Sequence, residues 1–233
     1  MKTRLHTLLS AQQAAELQTA VLYDVLTDAY EANYNRILVS FTPKEREQQL
    51  IALVKQVSPR NVPPELSDQV GVQFDEKFHN AVASVFQRTP LNSIVIIGSD
   101  CPFITPEVHD SAIRALQKKN VCVFGWTRDG GVYLIGLSPP ATSNFNFKGN
   151  FSSGVESWLL IEEAKRLGIE IHSLPELSDV DTEDDLKHAY IMARNLRESG
   201  KRFPRHMMSY CDSIAITVVN ESNNRVRKLL VQI

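Results

Sequence analysis

A chain of 233 residues that is 43% hydrophobic can bury the core of one α/β domain, and a formal net charge of -2 speaks against a nucleic-acid-binding surface, which needs a basic excess. No apolar run reaches the roughly 18 residues that a membrane span requires, and the opening Met1-Lys2-Thr3-Arg4-Leu5 lacks the apolar segment of a signal peptide. The three cysteines, Cys101, Cys122 and Cys211, are odd in number and widely spaced, which argues against a disulfide framework or a zinc knuckle and for a reduced, cytoplasmic protein.

Ser10 is placed to cap a helix to about Tyr30, with Ala14, Leu17, Val21, Val25 and Ala29 on one face. Arg36 to Phe41 reads as a strand. Thr42-Pro43-Lys44-Glu45 has the form of a capping box opening a second helix through Leu50, Leu53 and Val54. Asn61-Val62-Pro63-Pro64 is a loop and Val70 to Phe74 a short strand. Asp75 is then expected to cap a helix carrying Phe78, Ala81, Val82, Val85 and Phe86.

Ser93 to Ile97 is a buried strand, followed by a helix capped by Thr105 and ended by Asn120. Val121 to Phe124 and Gly131 to Leu137 are further strands. A helix from Ser153 ends at Leu167-Gly168, Ile169 to Leu174 is a strand, and Thr182 caps a helix to about Ser199-Gly200. Ser213 to Val219 and Arg225 to Ile233 read as two strands around Asn220 to Asn224, with Lys201 to Arg205 as a linker. Strands that are apolar throughout and alternate with helices indicate a mostly parallel sheet covered on both faces.

Three segments carry candidate chemistry. In Gly98-Ser99-Asp100-Cys101-Pro102 a buried strand ends on a carboxylate. Ligands of open α/β sheets bind beyond the carboxyl ends of strands, Gly98 lets a ligand approach the backbone, and a carboxylate beside a helix start suits a cation holding a phosphate. The plainer role of such an aspartate is helix capping. Asp129-Gly130-Gly131 is an ordinary turn or a place where substrate meets bare backbone. In Asp179-Val180-Asp181-Thr182, two carboxylates one residue apart point the same way in extended backbone, which calls for a cation or solvent. Glu183, Asp184 and Asp185 are explained by the helix dipole. The six histidines have no metal-site spacing, and no dinucleotide or P-loop glycine motif occurs.

Taken together with Lys2-Thr3-Arg4-Leu5, Thr105-Pro106, Tyr133-Leu134-Ile135-Gly136-Leu137 and Asp185-Leu186, these segments resemble the GT-A-type transferases of the DUF2064, or selenodomain-associated transferase 1, group, over residues 1 to about 197. That group is related to nucleotide-diphospho-sugar transferases and to guanylyltransferases acting on phospholactate. The resemblance implies a three-layer α/β/α Rossmann-like sheet. It implies Asp100 as the metal-binding aspartate with Asp181 and its neighbour Asp179, Lys2 and Arg4 on the nucleotide phosphates, and Asp129, Gly130 and Gly131 on the acceptor or sugar side. The sequence departs from the group's pattern in three places. The first strand and its Pro-Gly loop are absent before Lys2. A usual Gly-Asp-Leu-Gly is Val72-Gln73-Phe74-Asp75, and a usual Trp-Ser-Thr is Phe151-Ser152-Ser153.

The expectation is therefore a transferase domain over 1–200 and a C-terminal extension over 201–233 with a β-hairpin. The implied activity is metal-dependent glycosyl transfer from a nucleotide-diphospho-sugar to a small-molecule acceptor, with Mg²⁺ or Mn²⁺ on Asp100 and Asp181 and Asp129 as base on the acceptor hydroxyl. Nucleotidyl transfer from a nucleoside triphosphate is the close alternative, and a non-catalytic nucleotide-binding protein the third. The tail strand from Ser213 is expected to pack into or beside the sheet. Its competitor is a separate hairpin, or a hairpin paired with another subunit in a homodimer.

Overall fold

The computed structural model describes residues 2–59, 62–88, 93–151, 154–220 and 227–231. In chain order, a short 3₁₀ turn, Thr3–Leu5, precedes α1 (Ala11–Glu31), β1 (Leu38–Phe41), α2 (Glu47–Val57), β2 (Glu65–Asp68), α3 (Phe74–Arg88) and β3 (Ile94–Ile97). Then come α4 (Pro106–Ala115), β4 (Val121–Trp126), β5 (Val132–Leu137), the single-turn α5 (Ala141–Asn144) and α6 (Glu156–Arg166). β6 (Glu170–Ser173), α7 (Glu183–Glu198), α8 (Arg205–Ser213), β7 (Ile216–Asn220) and β8 (Arg227–Val231) complete the order. The chain divides into two compact units. One comprises Met1–Val25, Ser99–Thr105 and Ser178–Ile233; the other comprises Leu26–Gly98 and Pro106–Leu177.

The second of these units holds the main sheet, in the order β3-β5-β4-β6. β3, β4 and β6 run in one direction and β5 runs against them. The reversal follows from connection length: five residues between β4 and β5 close a hairpin, whereas a parallel return needs a crossover of a dozen or more. Val121 to Phe124 are buried without alternation, as in a strand covered on both faces. Cys122, Phe124, Ile135, Leu137, Phe145, Phe147, Leu160 and Ala164 form one continuous core. Gly125 lies against the Tyr133 ring so closely that a Cβ would come within 2.3 Å of it. β1 and β2 make a separate parallel pair.

In the other unit, buried residues come from the first turns (Leu5, Leu9), from α1 (Ala14, Leu17, Val21), from Cys101, Phe103 and Ile104, from α7 (Leu186, Ala189, Ala193) and from α8 (Met207, Met208, Cys211). α1 is capped reciprocally: Gln13 N donates to Ser10 Oγ and Ser10 N donates to the Gln13 side chain. Thr182 and Asp185 make the equivalent box at α7.

Several expectations need correction. β2 lies at Glu65–Asp68, and Val70 and Val72, expected in a strand, are 66% and 82% exposed. The polar β2 is held by pairing to β1 and by ion pairs of Glu65 with Arg36 and of Asp68 with Lys44, which leave no apolar alternation to read. Asp75 sits inside α3 and accepts from Gly149 N at 2.8 Å instead of capping. Thr42 to Glu45 form no side-chain cap: a 3₁₀ turn, Lys44–Arg46, leads into α2. The Lys201–Arg205 segment leads directly into a helix, α8, where none was expected. Its first N–H groups, of His206 and Met207, donate to buried Asp24 at 2.9 and 2.8 Å, a cap supplied by a residue 182 positions away from His206. β7 pairs only with β8 among the described residues, as an antiparallel two-stranded sheet, so the tail does not join the main sheet. The side chain of Phe86, residue Asn61, the helix start at Ser153 and the turn at 221–224 lie outside the described residues.

Candidate functional site

Asp100 follows β3 by three residues and Asp181 stands immediately before the Thr182 cap of α7. The two segments are joined directly, since Val180 N donates to Asp100 O at 3.0 Å. Asp185 fixes the second segment further: its Oδ2 accepts from Thr182 N at 2.8 Å and from Asp181 N at 3.3 Å. The two carboxylates thus project from backbone that hydrogen bonds already hold in place.

Between them lies the Lys2 ammonium. Nζ donates to Asp181 Oδ1 and stands 3.8 Å from Asp100 Oδ2. The lysine side chain is 8% exposed, whereas the Asp100 and Asp181 side chains are 37% and 38% exposed. Lys2 has left-handed backbone, φ 51°, and its carbonyl accepts from Leu5 N at 3.0 Å, which begins the 3₁₀ turn. Arg4 is exposed on the same turn. Asp179 is half-buried. Its carboxylate and that of Asp100 both raise the Cys101 thiol pKa, which burial pushes up most of all. A fully buried cysteine so disposed is no nucleophile at this site.

The donor chemistry suits a cation of the Mg²⁺ or Mn²⁺ kind, which takes one or two carboxylates from protein and completes its shell with water and substrate phosphate. Among the described residues, no group of three or more His, Cys, Asp or Glu side chains is assembled to hold a metal. The positive charge facing the pair is Lys2.

Gly98, Asp129, Gly130 and Gly131 belong to the unit with the main sheet. Gly98 N donates to Tyr133 O at 2.9 Å, prolonging the β3–β5 pairing. Asp129 is exposed, and its Oδ1 accepts from Thr127 Oγ1 at 2.6 Å and from Gly131 N at 3.2 Å. Gly130 takes φ +94°, and a Cβ on Gly131 would lie 2.7 Å from Thr127 Oγ1. One carboxylate oxygen and both glycines thus build the β4–β5 turn, and Gly130 O accepts from Ser157 N at 3.1 Å. Two of the departures from the family pattern meet each other: Phe74 packs edge-on against Phe151 at 5.5 Å. Ser152 and Ser153 lie outside the described residues.

Sequence reading missed the Lys2–Asp181 contact and the Asp24 cap of α8. Neither leaves a local pattern, because both join residues roughly 180 positions apart. The Thr182–Asp185 spacing was the one available sign that Asp181 is held in place.

The sheet and its covering helices define a Rossmann-like α/β fold. The chain belongs to the family described as "Uncharacterized protein conserved in bacteria (DUF2064)", whose sequence profile matches residues 25–153. The fold is similar to that of a "putative nucleotide-diphospho-sugar transferase" from Desulfovibrio desulfuricans G20, with a TM-score of 0.74 and 23% identity over 91% of this chain and 89% of that one. It is also similar to a cytidylyltransferase from Leptospira borgpetersenii serovar Hardjo-bovis (strain JB197), with a TM-score of 0.52 and 11% identity over 83% of each chain. No curated protein matches the sequence. No helix among the described residues is long and apolar enough to cross a membrane.

Proposed function

We propose that this protein is a transferase that binds a nucleotide-diphospho-sugar at Lys2, Asp100 and Asp181. The observation that carries the reading is the convergence of two carboxylates, from segments 81 residues apart in number, on one basic side chain, with their backbones tied by the Val180–Asp100 hydrogen bond. A diphosphate leaving group develops negative charge as its bond to the sugar breaks, and fixed charges at that point lower the barrier. Lys2 and Arg4 supply positive charge from one turn. Asp100 and Asp181 hold the cation that accompanies the diphosphate, Mg²⁺ or Mn²⁺, whose contribution when bound is to neutralise the departing oxygens. Asp129, whose Oδ1 is held within its own turn, is the candidate base that the family resemblance implies.

A thermal-shift panel of UDP-, GDP-, CDP-, ADP- and dTDP-sugars and the matching triphosphates, each with and without Mn²⁺, tests the reading, because a ligand that binds only the folded state raises the melting temperature. At least one nucleotide sugar with Mn²⁺ is expected to stabilise the wild type and to lose that effect in Asp100→Ala. Stabilisation by triphosphates alone points to nucleotidyl transfer. No shift with any member overturns the reading.

A further inference from the structure

We propose that Lys2 is a displaceable internal cation: its ammonium holds the position between Asp100 and Asp181 in the ligand-free protein, and a metal-bearing nucleotide enters as Lys2 is transferred from the carboxylates to the phosphates. The proposal rests on the nucleotide-binding reading above and assigns Lys2 a positioning role within it.

Lys2 already stands at the carboxylate oxygens that a metal ion would use. Nζ bonds Asp181 and stands 3.8 Å from Asp100. A Mg²⁺ or Mn²⁺ ion bonded to these carboxylates at about 2.0–2.2 Å would stand beside the ammonium, with like charges sharing the same oxygens. One of the two must leave, and the backbone decides which. Asp185 holds the backbone of Asp181 and Val180 that of Asp100, so each carboxylate can move only on its own short side chain. The lysine head rides on four rotatable methylenes and has three donors to offer elsewhere.

Exposure points the same way. The carboxylates are each more than a third exposed and can be reached from solvent, whereas the lysine side chain is covered. An ammonium drawn off the carboxylates needs another anion, and the phosphates carried by the incoming cation are that anion. A metal ion arriving alone evicts Lys2 without providing it a partner. A metal ion arriving with a nucleotide provides one. Metal and nucleotide binding are therefore positively coupled, and the coupling passes through Lys2.

Calorimetry with Mn²⁺ alone, on the wild type and on Lys2→Met, tests this without any turnover. Lys2→Met should bind Mn²⁺ at least tenfold more tightly, since no ammonium has to be displaced, and Lys2→Arg should restore the weak binding. With UDP or GDP at saturation, and after correction for Mn²⁺–nucleotide complexes in solution, the wild type should gain at least tenfold in Mn²⁺ affinity and Lys2→Met much less. Equal or weaker Mn²⁺ binding by Lys2→Met, or binding by neither protein, overturns the proposal. If Lys2→Met does not fold, the wild type decides: nucleotide binding that leaves Mn²⁺ affinity unchanged overturns it. Failure of the wild type to bind any nucleotide, with Mn²⁺ still binding more tightly to Lys2→Met, overturns the nucleotide reading and spares the internal cation.

Discussion

The ammonium of Lys2 hydrogen-bonds the carboxylate of Asp181 across 179 positions of chain, and this contact closes the N-terminal turn onto the segment that leads into α7. It also separates Asp181 from the acids that follow it. Glu183 accepts from Thr7 Oγ1 at 3.4 Å and otherwise serves the helix N-terminus among the described residues. Asp181→Asn is expected to weaken Mn²⁺-dependent nucleotide binding by about tenfold or more, a loss of roughly 1.4 kcal/mol, and Glu183→Gln by less than about twofold. Titration calorimetry on both variants checks this, and equal losses would remove the distinction.

The Asp129 turn separates structure from charge. Asp129→Ala removes the acceptor of two hydrogen bonds and is expected to cost about 1–2 kcal/mol in urea unfolding. Asp129→Asn keeps an oxygen in the same place and should unfold within about 0.5 kcal/mol of wild type. The Asn variant therefore isolates the negative charge. If Asp129 is the base, Asp129→Asn loses turnover at unchanged stability.

Asp24 caps α8 from a buried position, and desolvation raises its pKa above the usual carboxylate value in spite of the Met207 and His206 N–H groups that it accepts from. A raised folded pKa means that the native state holds its proton more tightly than the unfolded chain. The contribution to stability is fully present below the unfolded value of 3.8 and is lost as pH rises through the folded value. Asp24→Asn lacks this titration. The stability of wild type relative to Asp24→Asn is therefore expected to be greatest near pH 4 and to fall toward neutral pH, as followed by urea unfolding at a series of pH values. A difference that grows as pH rises would contradict the assignment.

The two parts of the C-terminal segment should differ in weight. Met207 is fully buried on α8, and Met207→Ala is expected to cost about 2–5 kcal/mol. Truncation after Ala215 removes β7 and β8, which pair with each other and bury only Ile216 among the side chains described there, and should leave a soluble protein whose urea midpoint shifts less than that of Met207→Ala.

The helices and buried strands were legible where burial imposes a period or an unbroken apolar run. The stripe of α1, the Ile94–Ile97 run and the Val121–Phe124 run all lie where their patterns put them. β2 was not legible, because Glu-Leu-Ser-Asp is held by backbone pairing and ion pairs instead of an apolar face. α8 was hidden behind a basic, proline-containing approach, and its cap lies on α1, outside any local window. For the site, sequence supplied Asp100 and Asp181 as carboxylates at the ends of apolar or capped elements. It left the contact of Lys2 with these carboxylates unread, because an ion pair between distant residues has no signature in composition or spacing. The Asp129-Gly130-Gly131 motif was legible as a turn from the glycines alone, and the use of Asp129 Oδ1 within it is the side-chain-to-backbone bonding to which short acids are prone.

Calorimetric titration of the best-binding nucleotide sugar in the presence of Mn²⁺, on wild type and on Asp100→Ala side by side, tests the central claim most directly. Asp100 lies beyond a strand end and is more than a third exposed, so its loss should leave the urea midpoint close to that of wild type. The account predicts that wild type binds only with Mn²⁺ present and that Asp100→Ala, still folded, shows no metal-dependent binding. Equal Mn²⁺-dependent affinity in the two proteins would contradict it and would move the nucleotide site away from Lys2, Asp100 and Asp181.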